Sequence, residues 1–393
     1  MKKKLGIILC LVACLLMSGC DNASDTTNSS TNTTTTSSIS IEDVSSDTSS
    51  DKDEEKPEVS LTAYDELAMT FFNAIKSQNW DDVKNTLYLN TMDFTTTADL
   101  EWVLPRTSLA ELANNENEII FDSHLVTDKD NFIYEVTASC DNQLYKVNVK
   151  LCDDNSYKVV WKEAIYNDVT FKISDGITVS YGDKSYISED LNERESIYGV
   201  PFYVTDGSMV KRPITVKVTN ALGDTATKDI SLTDNANASI DFIAELDNTS
   251  KRCLQIIEDA YTLYRETYLK VDSEAPNDEI LEYLASDVSV DYISTLRQAH
   301  TVSDGVQPKN YELSPTLNFN TNTKYLAKML DSNTYYVYVQ DAVSGTVVSG
   351  YGTAASRKDF TGKGFLIIMR YEDNVPKLCG TNGNESLMYR RFI

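Results

Sequence analysis

The chain has 393 residues and carries 60 acidic against 35 basic side chains, a formal net charge of −25 at pH 7. Nucleic-acid binding demands a basic face, so this balance argues against that class of partner, and long-range charge equally opposes anionic polymers and headgroups. Hydrophobic residues make up 41% of the sequence, and the roughly 335 residues after position 58 suffice for two or three domains.

Lys2, Lys3 and Lys4 precede an apolar run of thirteen residues, Leu5 to Met17. A helix needs about 20 residues to cross a bilayer, so the run reads as a targeting signal spanning residues 1–19. Its end, Met17-Ser18-Gly19-Cys20, resembles the lipobox of bacterial lipoproteins, with Met where leucine is commoner. The resemblance implies a diacylglyceryl thioether on Cys20 and cleavage between Gly19 and Cys20. The plainer alternative is a secretory signal with an incidental cysteine. Loss of residues 1–19 removes three lysines and no acid, taking the net charge from −25 to −28.

Residues 20–58 follow as a linker: 18 of the 30 residues from 21 to 50 are Ser or Thr. Such a stretch buries too little surface to offset chain entropy. A flexible chain of this length reaches roughly 35 Å, and the acidic run Asp51 to Lys56 extends it. Lipid plus tether places the remainder outside the cytoplasm, held to the cell membrane. That is the outer face of a Gram-positive membrane or, with Asp21 read as resembling a retention signal, the inner membrane of a Gram-negative cell.

Three folded segments are expected. In residues 59–166, Leu61, Tyr64, Leu67, Phe71, Phe72 and Ile75 recur at helical spacing. Asn79 can cap a second helix with Asp81 and Asp82 in its first turn, and Ser108 to Glu111 has the pattern of a capping box for a third. The period then changes to two through Phe132–Ala138, Tyr145–Leu151 and Tyr157–Trp161, with Asp141-Asn142 and Asp153-Asp154-Asn155 as turns. Residues 167–247 read as short strands joined by Gly-containing turns, a small all-β sandwich in which Val216 and Val218 face Ile230 and Leu232 on an antiparallel partner. Residues 248–393 repeat the first order: a helix bearing Leu254, Ile257, Tyr261, Tyr264 and Tyr268, two shorter helices, then strands. Helices first and an antiparallel meander after them define an α+β fold.

Helices followed by a curved meander in this length resemble the NTF2-like fold. Two such cone domains flanking a small β domain resemble the extracellular part of TcaA-type envelope proteins. That family carries a cytoplasmic zinc ribbon and a transmembrane helix where this chain has a lipobox and linker, so inside-to-outside signalling does not carry over. The resemblance implies an accessory envelope protein, not an enzyme, whose partner is a wall component or a membrane protein. A solute-binding lipoprotein of an importer would instead alternate strands and helices in two lobes.

The sequence offers little catalytic chemistry, and no cofactor or metal is expected from it. Of two histidines, His124 falls in a predicted strand with Asp122 two residues away, hence on one face. NTF2-like enzymes place a His/Asp pair inside the cone, so Asp122 and His124 are the catalytic candidates, without a nucleophile to complete them. His300 ends a predicted helix, where an imidazolium suits the dipole. Four cysteines remain past the anchor, Cys140, Cys152, Cys253 and Cys379; Cys253 and Cys379 are candidates for a disulfide, with four buried thiols as the alternative. Asp128 to Asp130 and Asp153 to Asn155 read as turns before calcium ligands. Tyr336 and Tyr338 share a face, as a sugar platform or as half-buried strand residues. Arg390 and Arg391 are locally basic, facing either an acidic partner or the chain's own carboxylates.

Overall fold

Helix α1 (Ala63–Ser77) begins at a capping box in which Thr62 and Asp65 satisfy each other's backbone N–H groups. Its Ala68, Phe71, Phe72 and Ile75 are fully buried, as their spacing predicts. The fold is seen in a computed structural model that describes residues 61–188, 193–197, 200–232, 238–272, 275–300, 309–349 and 356–379. The signal, Cys20, the linker, Arg390 and Arg391 lie outside these residues.

Helix α2 (Trp80–Thr86) is capped by Asn79 as expected. Strand β1 (Met92–Phe94) and helix α3 (Thr97–Val103) follow, the latter opened by a second capping box of Thr96 and Asp99. The helix expected from Ser108 does not form; only a 3-10 turn at Leu112–Asn114 is present there. Strands β2 (Ile120–Asp128), β3 (Ile133–Cys140), β4 (Gln143–Leu151) and β5 (Tyr157–Val160) then make an antiparallel meander. Asp141 and Asn142 both take positive φ, the geometry of a two-residue hairpin turn. Phe132 sits in a turn at φ 50° and is exposed, so it does not join the inward row of Val136 and Ala138.

The middle of the chain supplies β6 (Ile165–Ser174), β7 (Thr178–Tyr181), β8 (Lys184–Ile187), β9 (Glu193–Ile197), β10 (Val200–Val210), β11 (Ile214–Thr219), β12 (Thr225–Ile230), β13 (Ser239–Asp241) and β14 (Ala244–Glu245). All but β14 divide between two sheets, β1-β10-β6-β13 with β9 added to β10, and β12-β11-β7-β8. Val216 and Val218 are buried and pair across to Lys228 and Ala226, with Ile230 buried at the same strand's end. The last part is α4 (Lys251–Asp272), α5 (Asn277–Leu281), α6 (Asp291–His300), β15 (Lys309–Leu313), β16 (Lys324–Met329), β17 (Thr334–Ser349), β18 (Ser356–Glu372) and β19 (Val375–Leu378). Its sheet runs β14-β16-β17-β18-β19, with β15 on β17. The protein is thus a mixed α and β fold in which strands predominate.

Strand pairings cross the expected segment boundaries. β1 of the first segment lies parallel to β10 of the second, and β14 of the second pairs with β16 of the third. One apolar core runs from Ala68 to Leu378. A polar lock adds to it: Arg252 on α4 donates twice to Asp224 at 2.8 and 3.0 Å, and the Tyr335 hydroxyl donates to the same carboxylate. Burial, with Asp224 beside it, raises the Tyr335 pKa far above the ordinary phenol value.

Gly207 marks the tightest approach. A Cβ there would lie 1.9 Å from the Phe171 ring and 2.8 Å from the Met92 carbonyl. Gly207→Ala therefore forces β1, β6 and β10 apart and should cost about 1–3 kcal/mol, read as a lower urea midpoint; an unchanged midpoint would show that the three strands tolerate separation.

Candidate functional site

Strand β2 carries the sequence's candidate pair, and the structure separates its members. The β2–β3 register slips between Phe121 and Ser123, so Asp122 is the extra residue of a β-bulge. Phe121 pairs with Ala138 and His124 with Val136, which puts both on the inward face, three residues apart. A bulge breaks the period of two, so the spacing of two no longer places Asp122 and His124 on one face. Its carboxylate accepts instead from the Ser123 hydroxyl at 2.9 Å.

The carboxylate that His124 does meet is Asp65, 3.1 and 3.2 Å from Nδ1. A carboxylate only accepts, so in the neutral ring Nδ1 carries the proton and Nε2 accepts from the Tyr64 hydroxyl at 3.3 Å. Tyr64 in turn stacks on Tyr134 at 4.1 Å between centroids. Asp65 is 1% exposed and also accepts from the Thr62 hydroxyl at 2.6 Å and the Thr62 N–H at 3.0 Å. Among the described residues the partners of this carboxylate, Thr62 and His124, belong to a helix cap and to the strand it ties down, and the far side of the His124 ring meets the Tyr64 phenol. The signal for Asp65 was present in the sequence: Thr62-x-x-Asp65 is a capping-box spacing directly ahead of the apolar stripe.

A second site was not anticipated. Ile133 and Lys150 are cross-strand partners on the outward face of the β2–β5 sheet, opposite the face that bears Val136, Val147 and Val149. The Tyr88 N–H donates to the Val159 carbonyl at 2.8 Å, and the Lys211 N–H donates to the Ala164 carbonyl at 2.7 Å. These two bonds draw Tyr88 and Lys211 to the turn that links β5 to β6. The result is a cleft of about 420 Å³ whose lining includes Tyr88, Lys150, Val160, Lys162, Tyr166 and Lys211. The Lys150 ammonium rests 4.5 Å from the Tyr88 ring centroid, and Lys211 rests 4.7 Å from that of Tyr166. Val160 and Lys162 also border a smaller hollow of about 130 Å³ beside the Glu135–Lys146 ion pair. Lysines scattered over this much sequence form no motif, so only the two backbone bonds reveal the grouping.

The remaining candidates fall elsewhere. Cys253 and Cys379 are both free, as are Cys140 and Cys152. The first packs in the large core and the second in a separate cluster with Val200, Phe202 and Ile368, so no disulfide joins them. Burial pushes the Cys379 thiol up to about 12. Asp128 accepts from the backbone and side chain of Asn131, which holds its carboxyl below the usual range, and Asp154 accepts from Ser156. Both aspartates are therefore spent on their own turns. Tyr336 and Tyr338 are half-buried in β17. Among the described residues no group of three or more His, Cys, Asp or Glu could hold a metal ion, and no helix is long and apolar enough to cross a membrane.

No protein family matches the chain and no curated protein is similar to it. A solved structure described as an Ntf2 like protein involved in plasmid conjugation is 11% identical, covering 79% of this chain and 94% of its own, with a TM-score of 0.16. At that score the two backbones do not superpose as wholes, and the likeness carries no argument.

Three substitutions separate a cap from a catalytic dyad. Asp65→Ala should cost about 0.5–2 kcal/mol, the range for a lost helix cap. His124→Ala should cost about 0–1 kcal/mol, as partly exposed pairs do. Asp122→Ala should leave the urea midpoint in place. Equal losses at all three positions would contradict this assignment.

Proposed function

We propose that this chain is a lipid-anchored protein on the extracytoplasmic face of the cell membrane, acting by binding and not by turnover, as an accessory of the envelope. The cleft beside Tyr88 and Tyr166 carries the reading. Its volume falls within the range of small-molecule sites, about 300–1,000 Å³, and it combines apolar lining with a few charged groups. In this reading Cys20 supplies the anchor and residues 21–58 the stand-off. The two helix-then-meander segments are NTF2-like in element order and TcaA-like in arrangement, and the first of them, with the strands that follow it, lines the cleft.

The rival is an extracytoplasmic enzyme that uses His124. General acid–base work needs a second group positioned on the substrate, and among the described residues the one carboxylate bonded to His124 is committed to the cap of α1. His124→Ala should accordingly leave the cellular phenotype intact; its loss at an unchanged urea midpoint would favour the enzyme.

Two measurements test the proposal. Cys20→Ser should release the protein from the membrane fraction, and retention there would remove the anchor. The native mass of the chain purified from its own envelope should exceed the denatured mass by a bound molecule. A bare monomer that also fails to crosslink on intact cells would overturn the binding role.

A further inference from the structure

We infer that the cleft between the outward face of the β2–β5 sheet and strand β6 binds an anionic amphiphile, an apolar or aromatic body bearing a phosphate or carboxylate group. This rests on the reading of the chain as a binding protein and names the chemistry that its cleft selects.

Charge decides the first half. Lys150, Lys162 and Lys211 line the cleft, and among the described residues the only acid on its lining is Asp168. Several other lysines of this acidic chain sit on carboxylates, as Lys146 does on Glu135, Lys184 on Asp93 and Lys228 on Asp241. Lys150 is held differently, over the ring of Tyr88. A ring quadrupole orients an ammonium without cancelling its charge. Lys162 makes no ion pair among the described residues and is exposed. The net charge of −25 does not undo this: exposed charges beyond about 8 Å are largely screened at physiological ionic strength, so the nearby ammonium groups set the local field.

Apolar surface decides the second half. Ile133, Val160, Val169 and Leu232 line the same space. A bare phosphate or carboxylate leaves that surface in water, whereas an attached alkyl or aromatic body covers it at about 25 cal/mol per Å². Charged groups at the edge of an apolar lining thus select a ligand with both parts.

The probe is anilinonaphthalene sulfonate, an aromatic anion whose fluorescence rises on entering an apolar site, titrated into the chain from residue 59 onward, which holds the entire described core. A single saturable site is expected, displaced by phenyl phosphate in one arm and phenylbutyrate in the other, and not by neutral phenylbutanol. Whichever anion displaces at lower concentration identifies the favoured group. The double variant Lys150→Gln/Lys162→Gln should weaken probe binding about tenfold or more, with an unchanged circular dichroism spectrum. Leu125→Ser/Leu144→Ser, on the exposed apolar part of the same sheet, should leave it unchanged. Equal displacement by phenylbutanol, with no effect of the lysine changes, would overturn the anion inference and leave a binding protein for neutral ligands. Absence of any saturable site sensitive to the cleft variants would remove the cleft, and the binding role argued from it, together.

Discussion

Strands β1, β6 and β10 can lie together only because residue 207 has no side chain. The space that a Cβ would take at Gly207 is filled by the Phe171 ring. That ring packs against Phe94 at 4.9 Å and Phe242 at 5.7 Å, and Phe94 in turn meets Tyr186 at 5.3 Å and Tyr181 at 6.2 Å. Edge-to-face aromatic pairs add about 0.5–1.5 kcal/mol each beyond burial, and these rings come from strand β1, strand β6, the β7–β8 hairpin and the link after β13. One cluster therefore ties strand β1 to the two central sheets. It also fixes where β6 starts, and with it Ile165 and Tyr166 on the wall of the cleft.

Two buried aspartates repeat one device. Asp65 and Asp99 each stand third in a helix, each closes a capping box with a threonine, and each is 1% exposed. A carboxylate is buried at acceptable cost only when its oxygens are used, and a helix N-terminus favours negative charge. Spare acceptor capacity then goes to a distant donor. For Asp65 the donor is His124; for Asp99 it is the Tyr181 hydroxyl at 2.8 Å, with Arg212 at 3.2 Å. A local helix start thereby becomes a long-range tie.

These ties mark the limit of what the sequence could tell. Helices α1 and α2, and the hairpin at Asp141-Asn142, follow from short-range spacing and turn chemistry, and were legible. Strand β1 was not, because three residues carry no period and its partner Gly207 lies more than a hundred positions away. The Asp122–His124 pairing failed for a different reason. Reading two residues onto one face assumes an unbroken pleat, and the bulge at Asp122 removes that assumption. The lysine cleft depends on backbone bonds from Tyr88 to Val159 and from Lys211 to Ala164, which no local pattern announces.

Strand β2 is the open margin of its sheet, and Ile120, Leu125 and Val126 are all more than 40% exposed. Such a margin ordinarily invites a strand from a neighbouring molecule to extend the sheet. Here the pairing register slips twice within nine residues, before Ser123 and again before Asp128. Each slip turns the free amides and carbonyls out of step, so a straight incoming strand meets only a few matching positions before it loses alignment. The same irregularity that turns His124 inward keeps this apolar border from becoming a template on which a second sheet could grow.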